Sequence, residues 1–489
     1  MRLKVLLQEA GLPATVEDRE VTGVVSDSRR VQIGMVFVAL RGLRTDGFAY
    51  IAEAVERGAA FVIAERPVQN VPHLVVPDAR QALAFLCDAW YGHPACSLTL
   101  VGITGTNGKT STAEMIYHIL RHTGIHCGLI GTVSTVFDGE RISIRAADPL
   151  ANMTTPEPEE LYAQLAKMRD RGAACVVMEV TSHALALGRV APLTFQRALF
   201  TNLTADHLDF HGDMESYYVE KRKLFSQCEV AVISALSPFG CRLASEVTVP
   251  QIVVSRSSVT VLEQRGERGT LFRLTVGEVC VDISIAIPGG VFVQNAALAA
   301  ATALSLGVET TLVSEALGAF PGVQGRMERV SVPGADISVF LDYAHTPDAL
   351  ERLLQSVRQW RATGARILLL FGCGGDRDRG KRKEMGRIAT RLADLTVLTS
   401  DNCRSEEPTA ILRDILRGVD KEKAYTVIPD REEAIRFAIR VARAGDIVLL
   451  AGKGHEEYEI RGNRRLPFSE REIAKRALLA RKGGEEDAH

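Results

Sequence analysis

GITGTNGKTST, Gly102 to Thr112, decides the fold. The run before it, Ser97 to Thr104 (SLTLVGIT), reads as a buried strand. Behind it, Met115, Ile116, Ile119 and Leu120 share one helical face. Strand, glycine-rich turn and helix, in that order, are the context of a phosphate-binding loop. Backbone N–H groups of Gly105, Thr106, Asn107, Gly108 and Lys109 can cradle phosphate oxygens at the helix N-terminus. Lys109 neutralises charge on the outer phosphates, and Thr110 offers its hydroxyl to Mg²⁺. The strict motif wants glycine at position 103, where this chain has Ile103. A plain strand–helix turn would need only the glycines; the Lys-Thr pair points to a nucleotide.

Working outward, three regions emerge, in keeping with 489 residues and a usual domain of ~100–200. Residues 1–95 carry short strand-like runs (GVVSDS, GMVFVAL, AAFVIAE, HLVVPD) around an amphipathic helix near Tyr50 to Arg57. Gly92-His93-Pro94 punctuates the chain after them. Residues 96–330 hold the loop, a helix around Glu159 to Met168, and the strands CVVMEV and ALFTNL. Between residues 250 and 285, polar and apolar residues alternate, which predicts an antiparallel patch. Residues 331–489 cycle through ISVFLDY, a helix from Pro347, RILLLFG, a helix from Lys381, LTVLTS, a helix from Pro408, a strand near Tyr425, a helix from Glu432, and DIVLLAG. The expected fold is α/β with three domains: an N-terminal one, a central nucleotide-binding one, and a C-terminal doubly wound, Rossmann-like one. Gly483 to His489 is expected to fray.

Net charge is −2, with 46% hydrophobic and 24% charged residues. That balance gives no argument for a nucleic acid or an anionic membrane as partner. Nine cysteines are scattered without a CxxC pair, as expected of reduced core residues in a cytoplasmic protein. MRLKVLLQEAG, interrupted by Glu9, has no apolar segment of the length expected of a signal peptide, and no run approaches the ~20 apolar residues of a membrane span.

Asp206 to Lys221 (DHLDFHGDMESYYVEK) gathers three aspartates, two histidines and two glutamates before a lysine. From Asp213 it reads as a helix with Tyr217, Tyr218, Leu224 and Phe225 on one face. Lys221 falls in the middle of that face. It must snorkel, pair or lose its charge. Beside carboxylates and His207, the placement suggests a polar, metal-binding site; a snorkelling lysine is the plainer alternative. Glu179 ends CVVMEV, where a carboxylate can hold a nucleotide's Mg²⁺ or orient water. Arg326 and Asp342 join the second and third regions; an arginine there can stabilise transferring phosphate or make an interdomain ion pair.

Three turns of the last region follow predicted strands: GGDRD (374–378), DNCR (401–404) and GKGHE (452–456). Carboxyl ends of strands in one doubly wound sheet converge on one pocket. Arg377 and Arg404 suit a carboxylate, and Glu456 an ammonium, so a zwitterion is the expected guest.

Together TGTNGKT (104–110), NMTTPEP (152–158), MEVTSHAL (178–185), TNLTADHLDFHGDME (201–215), VQNAALAAATA around Asn295, GRMER (325–329), DYAHTPDAL (342–350), GCGGDRDRGKR (372–382), DNCR and GKGHE closely resemble the Mur ligases. The resemblance covers essentially the whole chain and is nearest to the branch that adds a third amino acid. It implies that ATP phosphorylates a substrate carboxylate to an acyl phosphate, which the amine of an incoming amino acid attacks. The carboxylate would be the γ-carboxylate of UDP-N-acetylmuramoyl-L-alanyl-D-glutamate. By resemblance, Lys221 is carbamylated by CO₂ and holds a second Mg²⁺ with Glu179 and His207, while Thr110 binds the first. Asn295 contacts adenine; Arg326 and Asp342 contact ribose or phosphate. DSRRVQIGMVFVAL (27–40) resembles the uridine-binding segment, which makes Ser28 a contact. Asn152, Thr154, Thr155, Thr181 and Arg189 match positions around the muramoyl dipeptide. Arg377, Asp401, Asn402, Arg404, Gly452 and Glu456 fall to the incoming amino acid. A monomer is expected.

Two departures stand out. Leu187 occupies a position where the family carries glutamine, and Cys403 replaces the proline of DNPR. Arg404 is retained, which favours meso-diaminopimelate over L-lysine. A folylpolyglutamate synthetase shares the loop and the third region, but not the uridine-type first region or the DNCR/GKGHE pair. A nucleotide-dependent binding protein without turnover would not need Lys109, Glu179, His207 and Lys221 together.

Overall fold

The structure, a computed structural model, describes residues 1–42, 46–142 and 153–486. Asn152 lies outside them. The chain divides into two compact units. One comprises Met1–Gly105, Leu120–Thr201 and Glu215–Val253; the other Thr106–Ile119, Asn202–Met214 and Val254–His489.

The first unit holds two sheets. Val24–Val25, Val36–Val38, Phe61–Ala64 and His73–Val75 lie parallel, in chain order. The expected helix near Tyr50 is the short Ile51–Glu56. A longer helix, Ala79–Trp90, escaped the sequence reading; Asp78 caps it by accepting the Gln81 N–H at 2.9 Å.

The second sheet has eight strands. In spatial order they are Gln251–Val254, Cys228–Ser234, Phe195–Phe200, Thr99–Thr104, Cys175–Glu179, Cys127–Ile130, Thr135–Phe137 and Glu140–Arg141. From Cys228–Ser234 to Cys127–Ile130 they run parallel. The strand Thr99–Thr104 is buried almost throughout. The chain leaves it toward Cys127–Ile130 on one side and later returns to Phe195–Phe200 on the other. That reversal makes its carboxyl end the switch point, where α/β sheets open a crevice for ligands. The phosphate-loop sequence starts there.

The second unit contains the doubly wound sheet. Its order is Glu328–Val330, Ser338–Asp342, Ile447–Ala451, Ile367–Phe371, Leu395–Leu398 and Tyr425–Val427. Only Glu328–Val330 is antiparallel. Successive side chains of a strand face opposite ways. Val339, Leu341, Leu368 and Leu370 therefore pack on Ala434, Ile435, Ala438, Ala474 and Leu478 of helices Arg431–Val441 and Glu470–Glu486. Phe340 meets Trp360 of helix Pro347–Trp360 on the other face. The expected antiparallel patch is the three-stranded sheet Val259–Gln264, Thr270–Val276 and Val279–Ile285. A hairpin, Tyr458–Arg461 with Arg464–Pro467, had no expectation attached. Of Gly483 to His489, where fraying is expected, residues 483–486 continue helix Glu470–Glu486 and the last three lie outside the described residues.

All nine cysteines are free thiols; Cys96, Cys241 and Cys280 are exposed and six are buried. Among the described residues no helix is long and apolar enough to cross a membrane.

Candidate functional site

The phosphate loop is clasped by the segment after strand Phe195–Phe200. The Thr106 N–H donates to the Asn202 carbonyl at 2.9 Å, and the Asn107 N–H to Asn202 Oδ1 at 3.0 Å. Asn202 Nδ2 returns a bond to the Asn107 carbonyl at 2.9 Å. Asn107 Nδ2 also reaches Asp348 Oδ2 at 3.0 Å. Lys109 Nζ donates to the Thr106 carbonyl at 2.9 Å, and Arg326 to Thr110 Oγ1 at 3.3 Å. Gly108 has φ +86°, and a Cβ on it would lie 2.6 Å from Asn295 Oδ1. Both its backbone and its neighbour thus require glycine. Residues 106–110 are thereby brought together with Asn295 and Arg326.

In the first unit, Glu179 is 1% exposed at the carboxyl end of its strand. Thr132 holds both of its oxygens, by N–H to Oε1 at 2.8 Å and by hydroxyl to Oε2 at 3.1 Å. The Thr132 hydroxyl lies 2.9 Å from that of Thr154. Thr155 donates to the Glu179 carbonyl at 2.8 Å and accepts the Thr181 N–H at 3.1 Å. Thr181 caps helix Ser182–Ala186, and Arg189 donates to the Thr155 carbonyl at 2.8 Å and pairs with Glu157 at 2.5 Å. Burial pushes the Arg189 guanidinium below its usual range despite Glu157. Four predicted substrate residues therefore form one polar cluster around Glu179. Ser28 is buried apart from them in the N-terminal sheet's turn, bonded to Glu53 at 2.8 Å.

Lys221 belongs to the same unit. Tyr217, Tyr218 and Lys221 are the buried residues of helix Met214–Arg222, as the periodicity predicted. Lys221 is 1% exposed, so it does not snorkel to solvent. Its Nζ lies 4.6 Å from the Tyr217 ring centroid and donates to the Gly105 carbonyl at 2.8 Å.

His207 falls in the second unit, with a left-handed backbone (φ 53°). Its N–H donates to Asp206 Oδ1 at 2.9 Å. Burial raises the Asp206 carboxyl, but His207, His345 and Lys381 together hold it below its ordinary range. Burial and Lys381 push His345 down to about 4, so its ring is neutral at pH 7. Asp342 uses its two oxygens on the N–H groups of Met327 and Ala344, each at 2.8 Å. Burial raises its carboxyl even so. Arg326 lies 4.5 Å from the Tyr343 ring centroid.

At the carboxyl edge of the six-stranded sheet, the three predicted turns do converge. Asn402 Nδ2 donates to Glu456 Oε2 at 2.7 Å. Arg404 has φ 50° and donates to the Gly375 carbonyl at 2.8 Å. Its backbone is pinned to the hairpin: its N–H reaches the Ile460 carbonyl at 3.1 Å, and its carbonyl takes the Gly462 N–H at 2.7 Å. Burial, then the neighbouring Arg404 charge, lowers the Arg377 guanidinium. Burial and Asp401 raise the Glu456 carboxyl. Asp401 is held down to about 2, because Lys453 and Arg431 outweigh its burial. Gly452 turns with φ +109°.

Several residues that shape the site had no role in the sequence reading. Asn202 and Thr204 clasp the loop, Thr132 grips Glu179, and Lys453 lies under Asn402 and Glu456. All but Thr132 lay inside motifs already singled out.

Among the described residues, no three His, Cys, Asp or Glu side chains gather as a metal site. Mg²⁺ bound with a nucleotide takes one or two protein ligands and fills its shell with water and phosphate oxygens. The Thr110 hydroxyl and the Glu179 carboxylate are the kind of oxygens such an ion uses.

Three family descriptions match in succession. Residues 20–91 match the Mur ligase family catalytic domain, 103–303 the Mur ligase middle domain, and 325–454 the Mur ligase glutamate ligase domain. A UDP-N-acetylmuramoyl-L-alanyl-D-glutamate–2,6-diaminopimelate ligase of Gloeobacter violaceus is 42% identical, covering 99% of each chain. The ligase of the same name from Syntrophomonas wolfei is 41% identical, over 94% of this chain and 95% of its own. A solved structure of a ligase with that name superposes with a TM-score of 0.67 at 29% identity, covering 94% of this chain and 95% of that one. Phosphate loop, three-part α/β architecture and matched domains agree: the chain belongs to the Mur ligase family of ATP-dependent ligases.

Proposed function

We propose that this enzyme joins meso-2,6-diaminopimelate to the D-glutamyl γ-carboxylate of UDP-N-acetylmuramoyl-L-alanyl-D-glutamate, a step of peptidoglycan precursor synthesis in the cytoplasm. The observation that carries the choice of amino acid is the opposed charge at the edge of the doubly wound sheet. Arg377 and Arg404 repel one another, which a bound carboxylate relieves. Glu456, buried beside Asp401, gains from an ammonium. Diaminopimelate brings a carboxylate and an ammonium to its non-reacting end; L-lysine brings only the ammonium and leaves two guanidinium groups unmatched.

The chemistry follows from charge. The γ-carboxylate oxygen attacks the γ-phosphorus of ATP, and ADP leaves. The amine of diaminopimelate then attacks the acyl carbon, an amide forms, and phosphate departs with the electron pair. Residues 105–109 bind the phosphates, and Lys109 neutralises the charge that grows on them. Thr110 would hold the nucleotide's Mg²⁺ through its hydroxyl. Glu179, His207 and a CO₂-modified Lys221 are proposed to hold a second, whose charge would lower repulsion between carboxylate and phosphate. Asn295 is assigned to adenine, Arg326 and Asp342 to ribose and phosphate. Ser28 is assigned to uridine, and Asn152, Thr154, Thr155, Thr181 and Arg189 to the muramoyl dipeptide.

Phosphate release from ATP tests the reading. It is expected with the UDP-muramoyl dipeptide plus meso-diaminopimelate, and to be much slower with L-lysine or no amino acid. Release with a folate in place of the UDP dipeptide would sink it. Arg404→Ala is expected to raise KM for diaminopimelate on the order of 10- to 100-fold, the worth of a charge-assisted bond. KM for ATP should stay within about twofold, since the Arg404 side chain bonds the Gly375 and Asn402 carbonyls at the amino-acid turns and no residue assigned to the nucleotide.

A further inference from the structure

The GKGHE turn contains a cation that none of these roles uses. Lys453 is completely buried. Its neighbours Gly452 and Gly454 have φ +109° and +54°; a Cβ on Gly452 would lie 2.8 Å from Asp401 Oδ2, and one on Gly454 2.7 Å from the Gly325 carbonyl. So tight a turn drives the Lys453 side chain inward.

An ammonium has three protons and no acceptor. Lys453 Nζ donates to Asn402 Oδ1 at 3.0 Å and to the Tyr458 carbonyl at 2.9 Å. It stands 3.6 Å from Asp401 Oδ1 and 3.8 Å from Glu456 Oε2. Asn402 Oδ1 also accepts the Ile460 N–H at 2.9 Å. With two donors on its oxygen, the amide has one orientation, which aims Nδ2 at Glu456. The charges also count. Arg431, the other nearby buried cation, is bonded to Glu470 at 2.8 Å. Asp401 and Glu456 against Lys453 leave the trio one positive charge short. A buried cluster with one unmatched negative charge favours a cationic guest.

We propose that Lys453 is a positioning residue: it locks the Asn402 amide and balances all but one of the buried negative charges, so that Glu456 presents a carboxylate to the non-reacting ammonium of the incoming diamino acid. This rests on the ligase reading above. It also accounts for a fully buried lysine beside Asn402 and Glu456, where a zwitterionic end rather than an apolar one is to be held.

The groups facing Glu456 are Asp401, Asn402 and Arg404 from one turn, Lys453 and Tyr458 from its own segment, and Tyr343 from a third. Of these, Lys453 is the largest influence opposing burial and Asp401. Removing it raises the Glu456 carboxyl further. A carboxyl that ionises later binds an ammonium only at higher pH.

The test is the full-length enzyme with Lys453→Met, and with Lys453→Met/Asp401→Asn, which restores the charge count. In the single variant KM for meso-diaminopimelate should rise on the order of 10- to 100-fold. The acid limb of kcat/KM for that substrate should move up by about one pH unit or more. KM for ATP and for the UDP dipeptide should change less than about twofold. The double variant should bring the acid limb back toward wild type. Equal losses for all three substrates, or an unmoved limb, would show Lys453 to be merely structural and overturn the proposal. Should neither variant fold, wild type still decides: 2-aminopimelate, which lacks the second ammonium, should show a KM at least ~30-fold higher. Equal use of both acids would overturn the proposal. If wild type releases no phosphate with meso-diaminopimelate at all, it is the ligase reading that fails.

Discussion

Lys221→Ala is expected to lower phosphate release with all substrates present on the order of 10³-fold. Short carboxylic acids such as acetate are expected to restore part of it. The side chain is 1% exposed and its Nζ lies 2.8 Å from the Gly105 carbonyl. As an amine it can only clamp the loop and repel a metal ion. Reaction with CO₂ replaces one N–H by a carboxylate and releases a proton. The nitrogen keeps an N–H for Gly105, and the new oxygens are anionic. Rescue therefore reads the charge that matters. Recovery with acetate supports an anion, whereas recovery with methylamine instead would assign Lys221 to clamping. Full activity in the alanine variant would remove both roles. Loss of the Gly105 donor alone should cost about 1–3 kcal/mol of stability, which thermal unfolding separates from the loss of turnover.

Glu179→Gln should lower kcat by about 10²- to 10⁴-fold while leaving the melting temperature within about 2 °C. The reason for so clean a split is Thr132. Its N–H needs an acceptor, which the amide oxygen supplies. Its hydroxyl donates to the second carboxylate oxygen now, but can equally accept from an amide nitrogen. Glutamine thus fits the same two partners and removes only the charge. A variant that melts much lower, or keeps its rate, would show that Glu179 acts through packing and not as an anion.

What could be read in the chain divides along physical lines. Local grammar was legible: the phosphate loop, the antiparallel patch and the cycling strands of residues 331–489 follow from period and turn chemistry. Lys221 on its buried stripe was legible too, although its partner, 116 residues away, was not. Ala79–Trp90 had an aspartate cap and an apolar face and was simply overlooked. The clasp of Asn202 on Asn107 and the grip of Thr132 on Glu179 span 95 and 47 residues. No window of sequence contains both ends of such bonds. Lys453 was quoted within its motif, but its burial depends on how two glycines turn and on what lies beneath them. Neither is a property of the motif alone.

Backbone conformation was the other hidden quantity. Among the described non-glycine residues with positive φ are His207, Met327, Asp376 and Arg404, each inside a motif that carries chemistry. At Arg404 (φ 50°) the left-handed backbone costs roughly 1 kcal/mol against glycine. Its two bonds to the hairpin are main-chain bonds, which any residue would keep. Arg404→Gly relieves that strain but gives up the side-chain bond to the Gly375 carbonyl, worth about as much, so its melting temperature should stay within about 2 °C of the parent's while its grip on the second carboxylate is lost. What the arginine adds at this position is recognition rather than stability, and a branched side chain has no low-strain route in.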